Sequence, residues 1–206
     1  VTLRADGAST QQPTNRWFYS PVVGAGWDLK TEFFEDQSSV SDFRLHASAG
    51  RMGKYQYFDN YSQGPQYTAF IGFACNLISP GYDGLATLTR PYTAGYVPYN
   101  LKWAYTDQAN LGIDATFLNK RLSVSLDGYY KHDKNMLLVV PSAAEYGYTS
   151  IIQNGMAVRN TGFDAALTGV VFPAENKFSW TTSINMNFNR NTLTALPGGL
   201  SQVVVN

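Results

Sequence analysis

The side chains able to do chemistry are few and poorly grouped. Glu32, Glu35 and Asp36 form an acidic cluster. A carboxylate pair can serve as general acid and base, but this run lies between two strand-like stretches and reads as a solvated turn. His132 and Asp133 adjoin at the end of a strand. A His–Asp pair works on a placed nucleophile, and none is signalled. His46 and His132 lack metal-ligand spacing, and the single cysteine, Cys75, excludes an internal disulfide and a Cys-based zinc site. Asp59-Asn60 and Asp83-Gly84 carry the oxygen ligands that calcium takes, yet ordinary turn chemistry accounts for them as well. Gly24 and Gly26 do not form a phosphate cradle, because no helix follows them. No catalytic residue, metal or cofactor is expected, with loop calcium left open, and the chain reads as non-enzymatic.

The residue type that does accumulate is tyrosine. Tyr55, Tyr57, Tyr61, Tyr67, Tyr82, Tyr92, Tyr96 and Tyr99 crowd the 54–103 segment. A tyrosine joins a flat apolar ring to a polar tip and suits partly wet contacts. Segments this long are uncommon unless functional or disordered. Tyr55, Tyr57, Tyr61, Tyr67, Tyr82 and Tyr92, with hydrogen bonds from Asp59 and Asn60, are the expected contacts to a ligand or partner. Self-packing of an ordered loop is the competing explanation.

Composition narrows the class of chain that presents this segment. Charged residues are 15% of 206, below the roughly 25% of soluble domains. Aromatics are another 15%, and the formal net charge is +0. A basic nucleic-acid-binding surface is therefore not expected. No stretch approaches the ~18 consecutive apolar residues of a membrane-spanning helix. The first residues, Val-Thr-Leu-Arg, and the last, Val-Val-Val-Asn, both read as strand interiors, so a piece of a longer chain is expected.

The hydrophobic period is two nearly throughout. Phe178, Trp180, Thr182, Ile184, Met186 and Phe188 alternate with Ser179, Thr181, Ser183, Asn185, Asn187 and Asn189. Leu122–Tyr130, Asn110–Leu118, Phe43–Gly50 and Tyr19–Leu29 behave alike, which argues for half-buried strands. About seven strands are predicted: a short one at the start, then 17–30, 42–53, 104–118, 121–135, 157–172 and 177–190. A tight turn joins Leu118 to Arg121, short joints lie at 31–41 and 173–177, and a helical turn is placed at Glu32–Asp36. Longer connections, 7–16, 54–103 and 136–156, fall at the other end.

The polar stripe carries Ser, Thr, Asn, Gly and Asp rather than the Lys and Glu of a soluble sandwich. On the apolar stripe, Trp27, Phe43, Phe117, Phe178 and Trp180 lie next to the short turns. Tyr19, Tyr130, Phe163 and Phe188 lie near the long loops. Two aromatic bands enclosing aliphatic residues match the girdles of a transmembrane β-barrel. The fold class expected is all-β, an antiparallel transmembrane barrel segment. Trp27, Phe43, Phe117, Tyr130, Phe178, Trp180 and Phe188 are its lipid-facing girdle residues.

Several segments carry a more specific signal. They are Leu3-Arg4-Ala5-Asp6-Gly7; Asn15-Arg16-Trp17-Phe18-Tyr19-Ser20-Pro21; Gly24-Ala25-Gly26-Trp27; Gln108-Ala109-Asn110-Leu111-Gly112-Ile113-Asp114; Phe117-Leu118-Asn119-Lys120-Arg121-Leu122; Asp127-Gly128-Tyr129-Tyr130-Lys131; Val158-Arg159-Asn160-Thr161-Gly162-Phe163-Asp164; and Asn185-Met186-Asn187-Phe188-Asn189-Arg190-Asn191. In this order the series resembles the C-terminal barrel of SusC/RagA-type TonB-dependent outer-membrane transporters over roughly residues 1–195. The resemblance implies a 22-stranded plugged barrel, of which residues 1–206 supply one part of a single barrel domain. The plug and the TonB-contacting segment have no counterpart in these residues. It further implies a bacterial outer-membrane location of Bacteroidetes type, long loops outside, a SusD-like lipoprotein partner, TonB acting through the plug, and glycan or peptide cargo. A soluble β-sandwich or lectin-like module, and a related barrel used for secretion or adhesion, remain the alternatives.

Overall fold

Strict alternation lets each strand satisfy its main chain through its neighbours while sorting side chains by face. In the computed structural model the described residues are 1–34, 39–56, 67–71, 81–82, 85–91, 96–143, 145, 148, 150–173 and 178–202, with main chain alone over 67–71, 81–82 and 85–91. The elements are β1 (Thr2–Gly7), β2 (Trp17–Asp28), α1 (Leu29–Phe33), β3 (Val40–Lys54), β4 (Tyr67–Ile71), β5 (Gly81–Tyr82), β6 (Leu85–Pro91), β7 (Ala104–Phe117), β8 (Leu122–Pro141), β9 (Ser150–Phe172) and β10 (Trp180–Ala195). Seven of them form one antiparallel sheet in the order β1-β2-β3-β7-β8-β9-β10. The all-β class and the seven strands follow the alternation.

Three local differences have physical reasons. The helical turn is α1, Leu29–Phe33, set three residues early because Asp28 caps it by accepting from the Lys30 N–H at 3.1 Å; Glu35 and Asp36 lie outside the described residues. The 136–156 connection is mostly strand, since β8 runs to Pro141 and β9 begins at Ser150. Asn135 has φ 56° and the register shifts between Asp133 and Met136. This bulge breaks the period of two where the sequence pattern stops. Within 54–103, β4, β6 and β5 form a second small sheet, and residues 96–103 return across the ends of β8 and β9.

The turn predicted at Leu118–Arg121 is present. Leu118, Asn119 and Lys120 have φ of 55°, 53° and 66°, and the Arg121 N–H donates to the Leu118 carbonyl at 3.1 Å. Such left-handed residues match the twist of a tight hairpin. Very little apolar surface is buried. The core cluster is Val97, Leu101, Leu137 and Ile152, between the returning segment and the extended ends of β8 and β9. Leu111, Ile184, Met186 and Phe188 are each 56–59% exposed on one face of the sheet. Among the described residues no second layer covers that face.

Candidate functional site

The two faces of the sheet differ in chemistry. On the apolar face, cross-strand register aligns Trp27, Leu45, Ile113, Leu126, Ala165 and Met186 in one row. Next to it lies the row Phe43, Ala115, Val124, Leu167 and Ile184. Aromatic rings close both ends. At the turn end Trp27 meets Phe33 edge-on at 5.9 Å, Phe34 meets Phe43 at 5.7 Å, and Phe172 meets Phe178 at 6.0 Å and Trp180 at 6.4 Å. At the loop end Phe163 stacks on Phe188 at 5.9 Å. Phe33, Phe34 and Phe172 extend the turn-end band beyond the residues singled out from sequence. Phe172 escapes the pattern because a register shift between Trp180 and Thr181 reverses its parity.

The polar face is a hydrogen-bonded lattice. His46 Nε2 lies 2.9 Å from Asp127 Oδ1, and His46 Nδ1 lies 3.5 Å from Asp114. The Ser125 hydroxyl donates to Asp114 at 2.8 Å, Thr168 pairs with Ser183 at 3.1 Å, and the Asn187 amide donates to Asp164. Gly112 permits the first group, since a Cβ there would collide with the tips of Asp127 and His46. Gly162 lets Tyr129 lie over it, and a Cβ there would strike the Phe188 main-chain carbonyl. His132 and Asp133 adjoin on one strand and so point to opposite faces. Asp133 is buried against Thr106, whose hydroxyl donates to it at 2.5 Å, which removes the pair as a dyad.

At the loop end β2 and β3 part beyond Val22 and Gly50. Trp103 fills the opening, its indole N–H donating to the Asn15 carbonyl at 2.8 Å. Phe18 packs on Trp103 at 5.8 Å, and Tyr55 packs on it at 5.4 Å while its hydroxyl meets Thr10. The Asn154 amide holds Lys102 like a peptide group, accepting from its N–H and donating to its carbonyl, both at 2.9 Å. This leaves a cleft of about 680 Å³ whose walls include Arg4, Asp6, Ser20, Met52, Tyr55 and Trp103. That is the size of a small-ligand pocket. Arg4 is paired with Asp6 at 2.7 Å.

On the apolar face at the same end, Arg51 donates to Asp107 at 2.6 Å and lies 4.4 Å above the Tyr105 ring, and Lys134 donates to Asp107 at 3.0 Å. Hydrogen bonding from Arg51, reinforced by Lys134, holds the Asp107 carboxyl below its ordinary range. His132 is pushed down by burial and by the positive charges of Lys134 and Arg159.

Of the tyrosine-rich residues expected to make contacts, Tyr55 is at the cleft. Tyr67 opens β4 and Tyr82 closes β5, so both are strand residues, with main chain described. Tyr57, Asp59, Asn60, Tyr61 and Tyr92 lie outside the described residues, as do Cys75 and Asp83. Among the described residues no group of three or more His, Cys, Asp or Glu side chains could hold a metal. Trp103, Arg4, Asp6 and Met52 were not legible as site residues, because the parting of β2 from β3 has no signature in either strand alone.

Residues 1–201 match the model of the TonB dependent receptor-like, beta-barrel family. The chain belongs to that family. The TonB-dependent receptor SusC of Bacteroides thetaiotaomicron is 29% identical over 201 residues, which are 96% of this chain and 19% of that protein. TonB-dependent receptor P39 of Formosa agariphila is 28% identical over 202 residues, 95% of this chain and 18% of that protein. The chain thus spans about a fifth of the length of the curated relatives it matches. Among solved structures, the RagAB peptide importer superposes with TM-scores of 0.82 in its closed-closed state and 0.81 in its open-open state, at 29% and 30% identity. Each match covers 98% of this chain and 21% of that one. A TonB-dependent barrel implies an outer-membrane location, and the SusC/RagA resemblance read from the motifs agrees with these relatives.

Proposed function

We propose that residues 1–206 form part of the wall and outer mouth of an outer-membrane importer that takes up oligosaccharides or peptides with a SusD-like surface lipoprotein. In this reading the chain breaks no bonds and holds no cofactor. TonB acts through a plug elsewhere in the parent protein. The apolar face, with Trp27, Phe43, Phe117, Tyr130, Phe178, Trp180 and Phe188 at its margins, meets lipid. The Ser/Thr/Asn/Asp face lines the lumen, and the long 54–103 segment lies outside the cell. The edges β1 and β10 pair with further strands of the same barrel, since unpaired main chain in lipid costs several kcal/mol per group.

The observation that carries this is the family match along nearly the whole chain, joined to a sheet with one exposed apolar face and one polar, hydrogen-bonded face. The soluble-sandwich alternative would require a second layer over Leu111, Ile113, Ile184 and Phe188. The cleft beside Tyr55 and Trp103, with Tyr57, Asp59, Asn60, Tyr61, Tyr67, Tyr82 and Tyr92 on the segment that leaves it, is the proposed place of contact with cargo or lipoprotein.

Deleting 56–92 in the parent transporter tests the assignment. The barrel is expected to assemble while uptake and lipoprotein binding fall. Normal uptake together with normal lipoprotein binding would remove the segment from the gate.

A further inference from the structure

Just beyond the loop-end aromatic band, the apolar face turns basic. Register aligns Arg51, Asp107, His132, Arg159 and Thr192 in one row across five strands. Lys134 is one step further along β8, opposite Tyr105. Arg190 follows Phe188 by two residues and pairs with Thr161, which makes it the diagonal neighbour of Arg159. Such diagonal residues are about 7–8 Å apart at the main chain, within reach of long side chains.

Among the described residues of this face in the seven-stranded sheet, Asp107 is the single carboxylate. Arg51 and Lys134 already share it, at 2.6 and 3.0 Å. Arg159 and Arg190 are exposed and have no carboxylate partner among the described residues. The protonation of His132 is disfavoured first by burial and then by the positive charges of Lys134 and Arg159, against the opposing pull of Asp107 and Asp133. A pair of guanidiniums without a carboxylate partner among the described residues, with Lys134 on the next strand and set at the margin of an apolar stripe, suits an anion that is itself attached to something apolar. Arginine forks match phosphate geometry and bind it through two parallel hydrogen bonds. The face below is continuous and apolar, so an acyl chain can follow it while the headgroup reaches the cations.

We propose that Arg159 and Arg190, with Lys134 on the neighbouring strand, bind the phosphate of a phosphorylated lipid headgroup at the membrane boundary. The proposal rests on the reading that this face meets lipid. It adds a lipid-specific site to a wall otherwise held only by apolar contact.

The test uses the purified parent transporter and native mass spectrometry with two probes, a phosphorylated lipid A and the same glycolipid with its phosphate removed. Wild type is expected to retain the phosphorylated form, and Arg159→Gln/Arg190→Gln about tenfold less, the loss of one charge-assisted contact or more. Arg159→Lys/Arg190→Lys should keep most of the retention. Equal retention of the two lipids by wild type overturns the proposal, and that comparison needs no variant. Equal retention of phosphorylated lipid by wild type and the Gln variant also overturns it, as does occupancy by inorganic phosphate with no preference for the lipid. Capture of a second copy or of the lipoprotein through these arginines, in place of lipid, counts against it too. Heat-dependent gel mobility of each variant reports barrel assembly separately. Failure of an assembled wild-type barrel, whose apolar face still rejects charge, to prefer the phosphorylated lipid therefore refutes this site and leaves the barrel reading intact.

Discussion

Replacing Ile184 by Arg isolates the step from alternation to membrane geometry. Ile184 lies midway between Trp180 and Phe188 on β10, is 59% exposed, and pairs with Leu167. The eight-residue span between the two rings is ~27 Å along the strand and ~20 Å along the membrane normal at a tilt of ~40°. Each ring is then ~10 Å from Ile184 along the normal, which puts that residue near the midplane. An Arg there costs about 2–4 kcal/mol, or roughly 30- to 800-fold in the folded-to-unfolded ratio. Asn185 sits one residue on, opposite Ala166, on the polar face, and Asn185→Arg should cost under about 0.5 kcal/mol. Phe188→Arg lies at the boundary and should cost about 0–1 kcal/mol. The assay is denaturant-dependent folding of the parent barrel into vesicles, with gel mobility as readout. The order Ile184→Arg, then Phe188→Arg, then Asn185→Arg is expected, from most to least damaging. Equal tolerance at 184 and 185 would refute the assignment of faces.

Two glycines should behave differently. Gly162→Ala drives a Cβ into the Phe188 carbonyl and should sharply lower assembly, because the β9–β10 ladder has to part. Gly112→Ala meets only the movable tips of Asp127 and His46, so it should cost the His46–Asp127 pair, about 0–1 kcal/mol, and leave assembly near wild type. Comparable yields for the two contradict this. By NMR, His132 should titrate below about 6.5 and move up in Lys134→Gln and Arg159→Gln; a titration at or above the ordinary value refutes the electrostatic account. Because its folded value is depressed, the contribution of neutral His132 is complete above about pH 6.5 and is lost as the pH falls toward the folded value. Local protection from exchange around β8 should therefore drop on acidification.

Much of the sheet was legible because one physical rule, the period of two, operates in almost every strand. Ile184 and Asn185 sort by that rule alone, as do Leu126 and Asp127. Legibility ended where the rule is locally broken. The left-handed Asn135 re-phases β8, so a pattern reading stops there although the strand continues to Pro141. The shift at Trp180/Thr181 hides Phe172 in the same way. Site features that need two or more strands at once were not readable from one. Arg159 and Arg190 become neighbours only through register, and Trp103 becomes a cleft wall only because β2 and β3 separate beyond Val22.

The most direct test of the central claim is a nitroxide scan of residues 179–189, one position at a time, in a cysteine-free background of the parent transporter reconstituted in bilayers. Collision rates with oxygen, which partitions into lipid, and with a water-soluble nickel chelate are read at each site. The account predicts period-two alternation in opposite phase: oxygen maxima at 180, 182, 184, 186 and 188, and nickel maxima at 179, 181, 183, 185, 187 and 189. Uniform access along the strand, or nickel access at 184 equal to that at 185, would contradict it.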